Sequence, residues 1–228
     1  ATYNLVGIEN VFLRDSQETI WALRASIPTY NNTPEGENFI MIEPPQVGGL
    51  TPLSSQLLAA FETGDLRNVN WIGKYVDVNS SPNASYFYPY KYKIKYGSDV
   101  KESSIIIRLA ELFLIRAEAR AQLNKLANAI EDLDKVRQRA GLLLIKDAYP
   151  NLNKESLLKA ILKERQVELF AEQGHRWLDL KRTKKIDEVM TVVTPLKGGI
   201  WNTNKQLWPI PQNELQNNPN LQQNAGYN

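Results

Sequence analysis

Apolar positions change their spacing along the chain near residue 104, and the change separates two kinds of expected backbone. Downstream, Ile105, Leu109, Leu112, Phe113, Ala117 and Leu123 recur at three- and four-residue steps, with Glu111 and Glu118 on the opposite side, which predicts an amphipathic helix over 104–124. Ala129, Ile130, Leu133, Val136 and Ala140 repeat the pattern over 126–140, and Gly141 ends it. Two such helices joined by a short turn predict an antiparallel hairpin, and the small Ala117 and Ala129 allow the close approach found in a tetratricopeptide unit. Only one unit is visible, whereas a solenoid needs about three. A third helix is expected over 153–173, capped by Asn153 and stopped by Gly174, and a shorter one over 175–185. On a helical wheel Arg165 falls inside the apolar stripe formed by Leu158, Ile161, Leu162 and Leu169, so its guanidinium must be paired.

Upstream, seven prolines between residues 28 and 89 forbid long helices. Short helices are expected at 16–24 and at 54–63, the latter capped by Ser54 or Ser55. Strict alternation of Tyr90, Tyr92, Ile94 and Tyr96 with lysines predicts that 85–96 is an extended strand with one wet face. The segment 202–228 holds 13 Asn or Gln among 27 residues and reads as an irregular wrap anchored by Leu207, Trp208, Ile210, Leu215, Leu221 and Tyr227. Three stretches follow: an irregular segment 1–103, a hairpin 104–141, and helices with a tail over 142–228.

Composition narrows the chemistry. Twenty-seven Lys+Arg against 25 Asp+Glu give a net charge of +2, too weak a field to recruit nucleic acid or an anionic membrane. No apolar run approaches the roughly 20 residues of a spanning helix. Zero Cys removes disulfides, thiolate zinc and Cys nucleophiles, and the lone His175 removes His-rich metal sites, so neither a metal nor a cofactor is expected. Gly48-Gly49 and Gly198-Gly199 lack the Lys-Ser/Thr of a phosphate loop, and no G-x-S-x-G elbow exists to partner His175, which reads as a core or capping residue. Glu164, Glu168 and Glu172 line one side of a helix, whereas glycosidase acids face each other across a cleft. Structural pairing with Arg165, Arg176 or Arg182 is therefore expected, and a hydrolase using Glu164 or Glu168 is the weaker reading. The irregular half is rich in aromatic rings, which match the C–H faces of sugars while neighbouring amides hydrogen-bond the hydroxyls. Tyr30, Asn31, Asn32, Trp71 and Tyr86 are the candidate ligand contacts.

Three strings carry a family resemblance. The first runs Arg-Leu-Ala-Glu-Leu-Phe-Leu-Ile-Arg-Ala-Glu-Ala over 108–119 and is followed by Val-Arg-Gln-Arg-Ala-Gly-Leu over 136–142. The second is Ile161 to Leu169, continuing from Glu172 through Gly-His-Arg-Trp-Leu-Asp-Leu-Lys to Arg182. The third is Leu-Trp-Pro-Ile-Pro over 207–211 with Glu214-Leu215, Asn218-Pro219 and the end at Tyr227. In order and spacing they resemble the carboxy-terminal half of the SusD/RagB family of outer-membrane nutrient-binding lipoproteins. Pro52 to Phe61 and Gly64 to Arg67 resemble the family's mid-chain helix, while Ala225 and Arg116 depart from its usual Pro and apolar residues. The resemblance implies a mainly α fold, an α-α superhelix with one tetratricopeptide-type hairpin, irregular loops and a short extended segment. It also implies a non-catalytic surface protein, held at the outer membrane by a lipid anchor that this chain lacks. Such a protein captures a glycan, or in some members a peptide, for a SusC-like TonB-dependent transporter. An interaction module that docks the transporter without a ligand of its own is the alternative. In this reading Arg165, Glu168, Arg176, Trp177 and Asp179 form a structural ion-pair and packing cluster that does not touch ligand.

Overall fold

The computed structural model describes residues 3–24, 32–46, 52–97, 100–149 and 151–227, and divides into two units, 1–175 and 176–228. The candidates Tyr30 and Asn31 lie outside the described residues. Elements in chain order are β1 (Thr19–Leu23), α1 (Pro34–Phe39), α2 (Ser55–Leu58), α3 (Leu66–Asn70), β2 (Ile72–Asp77), β3 (Ala84–Pro89) and β4 (Ser104–Arg108). They are followed by α4 (Leu109–Gln122), α5 (Leu126–Arg139), α6 (Ile145–Ala148), α7 (Lys154–Glu168), α8 (His175–Arg182), α9 (Ile186–Val193) and α10 (Gln212–Asn217).

The hairpin forms as its periodicity predicts. Ala110, Leu114, Ala117 and Ala121 of α4 interlock with Ala129, Leu133 and Val136 of α5, all without exposure, and Leu157 and Ile161 of α7 complete this core. Alanines at the crossing leave no side chain to hold the helices apart, so burial is achieved by backbone approach. Asn124 takes a left-handed φ of 59° in the turn between them, and Gly141 follows α5 at φ 74°. α7 is capped by Asn153 Oδ1, which accepts from the Ser156 amide at 2.9 Å. Among the described residues no helix is long and apolar enough to cross a membrane.

Several expected boundaries shift, each for an identifiable reason. The helix expected from 104 begins only at Leu109, because Ser104–Arg108 is a strand paired antiparallel with β1. The three consecutive β-branched residues Ile105, Ile106 and Ile107 favour that extended backbone. Thr19, Ile20 and Trp21 do the same for β1, which replaces the helix expected at 16–24. α2 keeps the Ser54 cap, whose Oγ accepts from the Leu57 amide, but stops after four residues. α6 and α9 are short helices that the periodicity did not reveal.

The strand expected at 85–96 covers only Ala84–Pro89 and pairs with β2 in register from Ile72↔Pro89 to Asp77↔Ala84. Pro89 has no N–H to extend the ladder. Beyond it the lysines do not face water: Lys91 reaches Glu168 O at 2.7 Å, Lys93 reaches Asn70 O, and Lys95 reaches Glu37 O. Each accepting carbonyl lies in the last turn of a different helix, α7, α3 and α1 respectively. Three ammonium groups from one irregular segment therefore meet the negative ends of three helix dipoles.

The contact between this segment and α1 is tight. A Cβ added at Gly36, inside α1, would sit 2.2 Å from Ile94 O, a backbone atom with no rotamer to escape into. Gly36→Ala should therefore destabilise by roughly 1–3 kcal/mol, the usual cost of overpacking, read as a lowered urea midpoint. An unchanged midpoint would show that α1 moves freely off residues 94–95.

In the second unit, Asp187 of α9 accepts from Trp201 Nε1 at 2.8 Å, Thr203 Oγ1 at 3.0 Å and Gln206 Nε2 at 2.9 Å, which fixes the segment after the helix. The tail is held differently from the expectation. Trp208 is 80% exposed and Leu207 half exposed, so neither is an apolar anchor. Instead polar side chains clamp the backbone. Asn224 donates to Trp208 O at 2.7 Å, Tyr227 to Leu207 O at 2.8 Å, and Gln223 makes reciprocal bonds with the Ile210 amide and carbonyl.

Candidate functional site

The carboxylates Glu164, Glu168 and Glu172 point from the last two turns of α7 and just beyond it into a buried charge network. Arg67, at the start of α3, forms ion pairs with Asp65 Oδ2 at 2.8 Å, Glu164 Oε1 at 2.6 Å and Glu168 Oε2 at 2.8 Å. Arg108, where β4 passes into α4, binds Glu18 Oε1 at 2.9 Å, Glu172 Oε2 at 2.8 Å and Glu168. Arg139, at the end of α5, binds Glu18 and Glu168, and Arg137 joins Glu62 to Glu164. Pairing is expected with Arg165, Arg176 or Arg182, near in sequence; the arginines found on these carboxylates, Arg67, Arg108, Arg137 and Arg139, lie far away along the chain. Arginine suits the task because its planar fork donates to several carboxylates at once.

Electrostatics follow from this geometry. Burial alone would raise the Glu168 carboxyl, but Arg139, Arg108 and Arg67 outweigh it and hold the group well below the ordinary carboxylate range. Glu172 is lowered likewise, burial being outweighed by Arg108 and Lys91. Glu62 is lowered to about 2, chiefly by its hydrogen bond from Arg137. A carboxyl depressed on folding contributes stability that is complete above its unfolded value, near 4.5, and is lost as pH falls through the folded value. The melting temperature should therefore fall progressively once pH drops below about 4.5. A melting temperature that is flat from pH 6 to pH 3 would show that these pairs contribute nothing to folding.

Trp71 belongs to this scaffold and is not a ligand contact. It is 1% exposed, donates from Nε1 to Ile8 O at 3.1 Å, and packs edge-on against Phe12 with ring centroids 5.5 Å apart. Lys91 Nζ lies 4.2 Å from the Phe170 ring centroid, 4.7 Å from Trp71 and 5.5 Å from Phe12, and pairs with Glu172. Three ring faces and a carboxylate replace its hydration, yet burial still draws the ammonium down to about 8.

The remaining members of the expected cluster are Arg165 in the first unit and Arg176, Trp177 and Asp179 in the second. Arg165 is buried and lies 3.9 Å from Glu111 Oε1, and His175 Nδ1 lies 3.6 Å from that same oxygen. In the second unit, Asp179 is buried and receives Nε and Nη2 of Arg182, each at 2.8 Å. Burial lowers the Arg176 guanidinium, opposed by Asp179. Trp177 packs edge-on against Trp201 at 6.2 Å. Glu168 is joined to Arg67, Arg108 and Arg139.

Accessible rings are found on the β2–β3 ribbon. Tyr75 and Tyr86 stand opposite each other in register, and Gly73 stands opposite Tyr88, so the three tyrosines share one face. All three are half-buried. The Tyr88 ring lies over Gly73 so closely that a Cβ there would come within 2.3 Å of it. Tyr90 meets Tyr88 edge-on at 5.7 Å. Burial, with Tyr90 beside it, raises the Tyr88 phenol, which stays protonated and able to donate. Tyr86 was expected as a contact, but Tyr75 was not. The period-two spacing from Gly73 to Tyr75, matched against 86–88, was the signal available for it. Asn32 uses its amide oxygen internally, accepting from the Lys101 and Glu102 amides at 3.2 and 3.3 Å. Among the described residues no group of His, Asp and Glu is placed to hold a metal ion.

The helical hairpin, the knotted carboxylates and the ribbon define a mainly helical scaffold that fixes its charges internally and leaves rings on a strand pair. A sequence model of the SusD family matches residues 23–227, and the chain belongs to that family. SusD-like protein P38 of Formosa agariphila is 35% identical over 142 residues, covering 60% of this chain and 27% of its own length. SusD-like protein P25 of the same organism is 31% identical over 188 residues, covering 76% and 34%. Among solved structures, a SusD superfamily protein from Bacteroides vulgatus superposes with a TM-score of 0.77 at 21% identity, covering 99% of this chain and 55% of that one. Surface glycan-binding protein A from Bacteroides uniformis gives a TM-score of 0.68 at 22% identity, covering 98% and 53%. The chain thus spans about a third of the length of these curated relatives and about half that of the solved structures.

Proposed function

We propose that this chain is part of a surface glycan-binding protein that captures oligosaccharide at the outer membrane and delivers it, without chemistry, to a SusC-like TonB-dependent transporter. The observation that carries the reading is the tyrosine face of the β2–β3 ribbon, with Tyr75, Tyr86 and Tyr88 offering ring faces and phenolic hydroxyls together. Membership of the SusD family supports it, as does the name of the Bacteroides uniformis relative, a surface glycan-binding protein. The carboxylates also favour binding over hydrolysis. Glu164, Glu168 and Glu172 are all buried and each is neutralised by arginine, so none is poised to exchange a proton with a substrate. Anchoring by a lipid on a full-length protein, and the transporter as partner, belong to the same proposal.

The test is titration of a defined oligosaccharide panel followed by protein fluorescence and calorimetry. Tyr75→Ala and Tyr86→Ala should each weaken binding by up to about tenfold, in keeping with roughly 0.5–1.5 kcal/mol for one stacked ring, without lowering the melting temperature appreciably. No saccharide response from a full-length protein that still co-purifies with a large membrane barrel would replace this reading with that of an interaction module.

A further inference from the structure

A concave site lies in the first unit, lined by none of the residues of the tyrosine face. Val6, Asn10, residues 13–17 and residues 100–101 line an open cavity of about 470 Å³, within the usual 300–1,000 Å³ of small-ligand sites. Val6, Leu13 and Val100 give it aliphatic surface, and six polar residues line the rest, Arg14, Asp15, Gln17 and Lys101 among them.

The walls are built before any ligand arrives. The Arg14 amide donates to Lys101 O at 2.8 Å, and Leu13 bridges to Glu102, so the two lining segments are stitched to each other. The Ser16 amide closes a turn onto Leu13 O at 3.1 Å, and the Asn4 amide holds Gln17 O at 3.2 Å. Asn32 fixes the far side of residues 101–102. A cavity ordered by its own backbone loses little entropy on binding.

Arg14 and Asp15 give the cavity its selectivity. They are adjacent, opposite in charge and exposed, and their side chains make no hydrogen bond or ion pair among the described residues. A wholly apolar ligand would use neither. A sugar ring meets all the features at once: its C–H face lies on the aliphatic walls, its vicinal hydroxyls donate to the Asp15 carboxylate, and its ring or hydroxyl oxygens accept from the Arg14 guanidinium.

We infer that this cavity is a second saccharide subsite, in which Asp15 and Arg14 read the hydroxyls of one sugar unit that the tyrosine face does not hold. The inference rests on the glycan-binding reading, and the experiment separates the two. The 228-residue chain is titrated by calorimetry with a panel of neutral hexose and pentose oligosaccharides and with leucine-containing dipeptides, using the wild type, Asp15→Asn, Arg14→Gln and Tyr86→Ala. Melting temperatures confirm that each variant is folded. Asp15→Asn and Arg14→Gln should each weaken saccharide binding tenfold or more, and saccharide should slow amide exchange at residues 13–17. Saccharide binding that is lost in Tyr86→Ala but unchanged in Asp15→Asn and Arg14→Gln overturns the subsite and leaves the glycan reading standing. No saccharide binding by the wild type overturns both. Dipeptide binding that Arg14→Gln abolishes, with saccharide binding untouched, shows that the cavity takes a zwitterion and overturns the assignment to sugar.

Discussion

Glu168→Ala should lower the unfolding free energy by about 3–5 kcal/mol, the cost of removing one partner from a buried ion pair. The side chain has no exposure and receives Arg67, Arg108 and Arg139. Truncation would leave three guanidinium groups facing an apolar void, each still desolvated and held close to the others by its remaining partners. The penalty comes mainly from those orphaned charges, since a well-packed hydrophobic replacement of a whole buried ionic cluster is often neutral. Out of a total stability of roughly 5–15 kcal/mol, this loss approaches global unfolding. Glu168→Gln keeps the volume and two polar atoms and should cost less. Glu155→Ala is the matched control: its i,i+4 pair with Lys159 is 79% exposed on the carboxylate side, and such pairs contribute only a few tenths of a kcal/mol. Urea denaturation followed by circular dichroism compares all three. A loss below about 1 kcal/mol for Glu168→Ala would mean that the network relaxes around water.

Trp71→Ala should be nearly as damaging, at about 3–5 kcal/mol for a large aromatic removed from a packed core. The indole touches Phe12, donates to Ile8 O and forms one wall around the Lys91 ammonium. Its loss leaves a cavity, an unmatched carbonyl and a more poorly screened cation. For a chain of this size, where 1 kcal/mol moves the melting temperature by about 2–4 °C, the drop should be on the order of 10 °C. The conservative Trp71→Phe keeps most of the packing and should bind saccharide like the wild type. Weaker saccharide binding by a fully stable Trp71→Phe would restore the indole to the ligand site.

The helical hairpin was legible residue by residue, because a 3.6-residue period over fourteen positions on each helix leaves one arrangement that buries the apolar stripe. The Asn153 cap and the left-handed Gly141 were legible for the same local reason. Short elements were not. Four to six residues such as Thr19–Leu23 carry too few periods to separate helix from strand, and their choice was made by a partner strand over eighty positions away. Lysines 91, 93 and 95 show the same limit. Their alternation suggested a solvated edge, whereas each is drawn inward by the carbonyl end of a helix whose position no local pattern encodes.

Family membership, the hairpin and the requirement that Glu164, Glu168 and Glu172 be paired were all present in the order of residues along the chain, since periodicity and motif are local properties. Which arginines do the pairing, which rings stay half-buried and which are core were decided only in three dimensions. Arg67, Arg108 and Arg139 are separated by 41 and 31 residues in sequence yet share one carboxylate. Trp71 and Tyr86 lie fifteen residues apart, one enclosed and one on an accessible face. The reason is physical: pairing and burial are set by which surfaces the packed helices and strands bring within a few ångströms of each other, a distance that spacing along the chain does not specify.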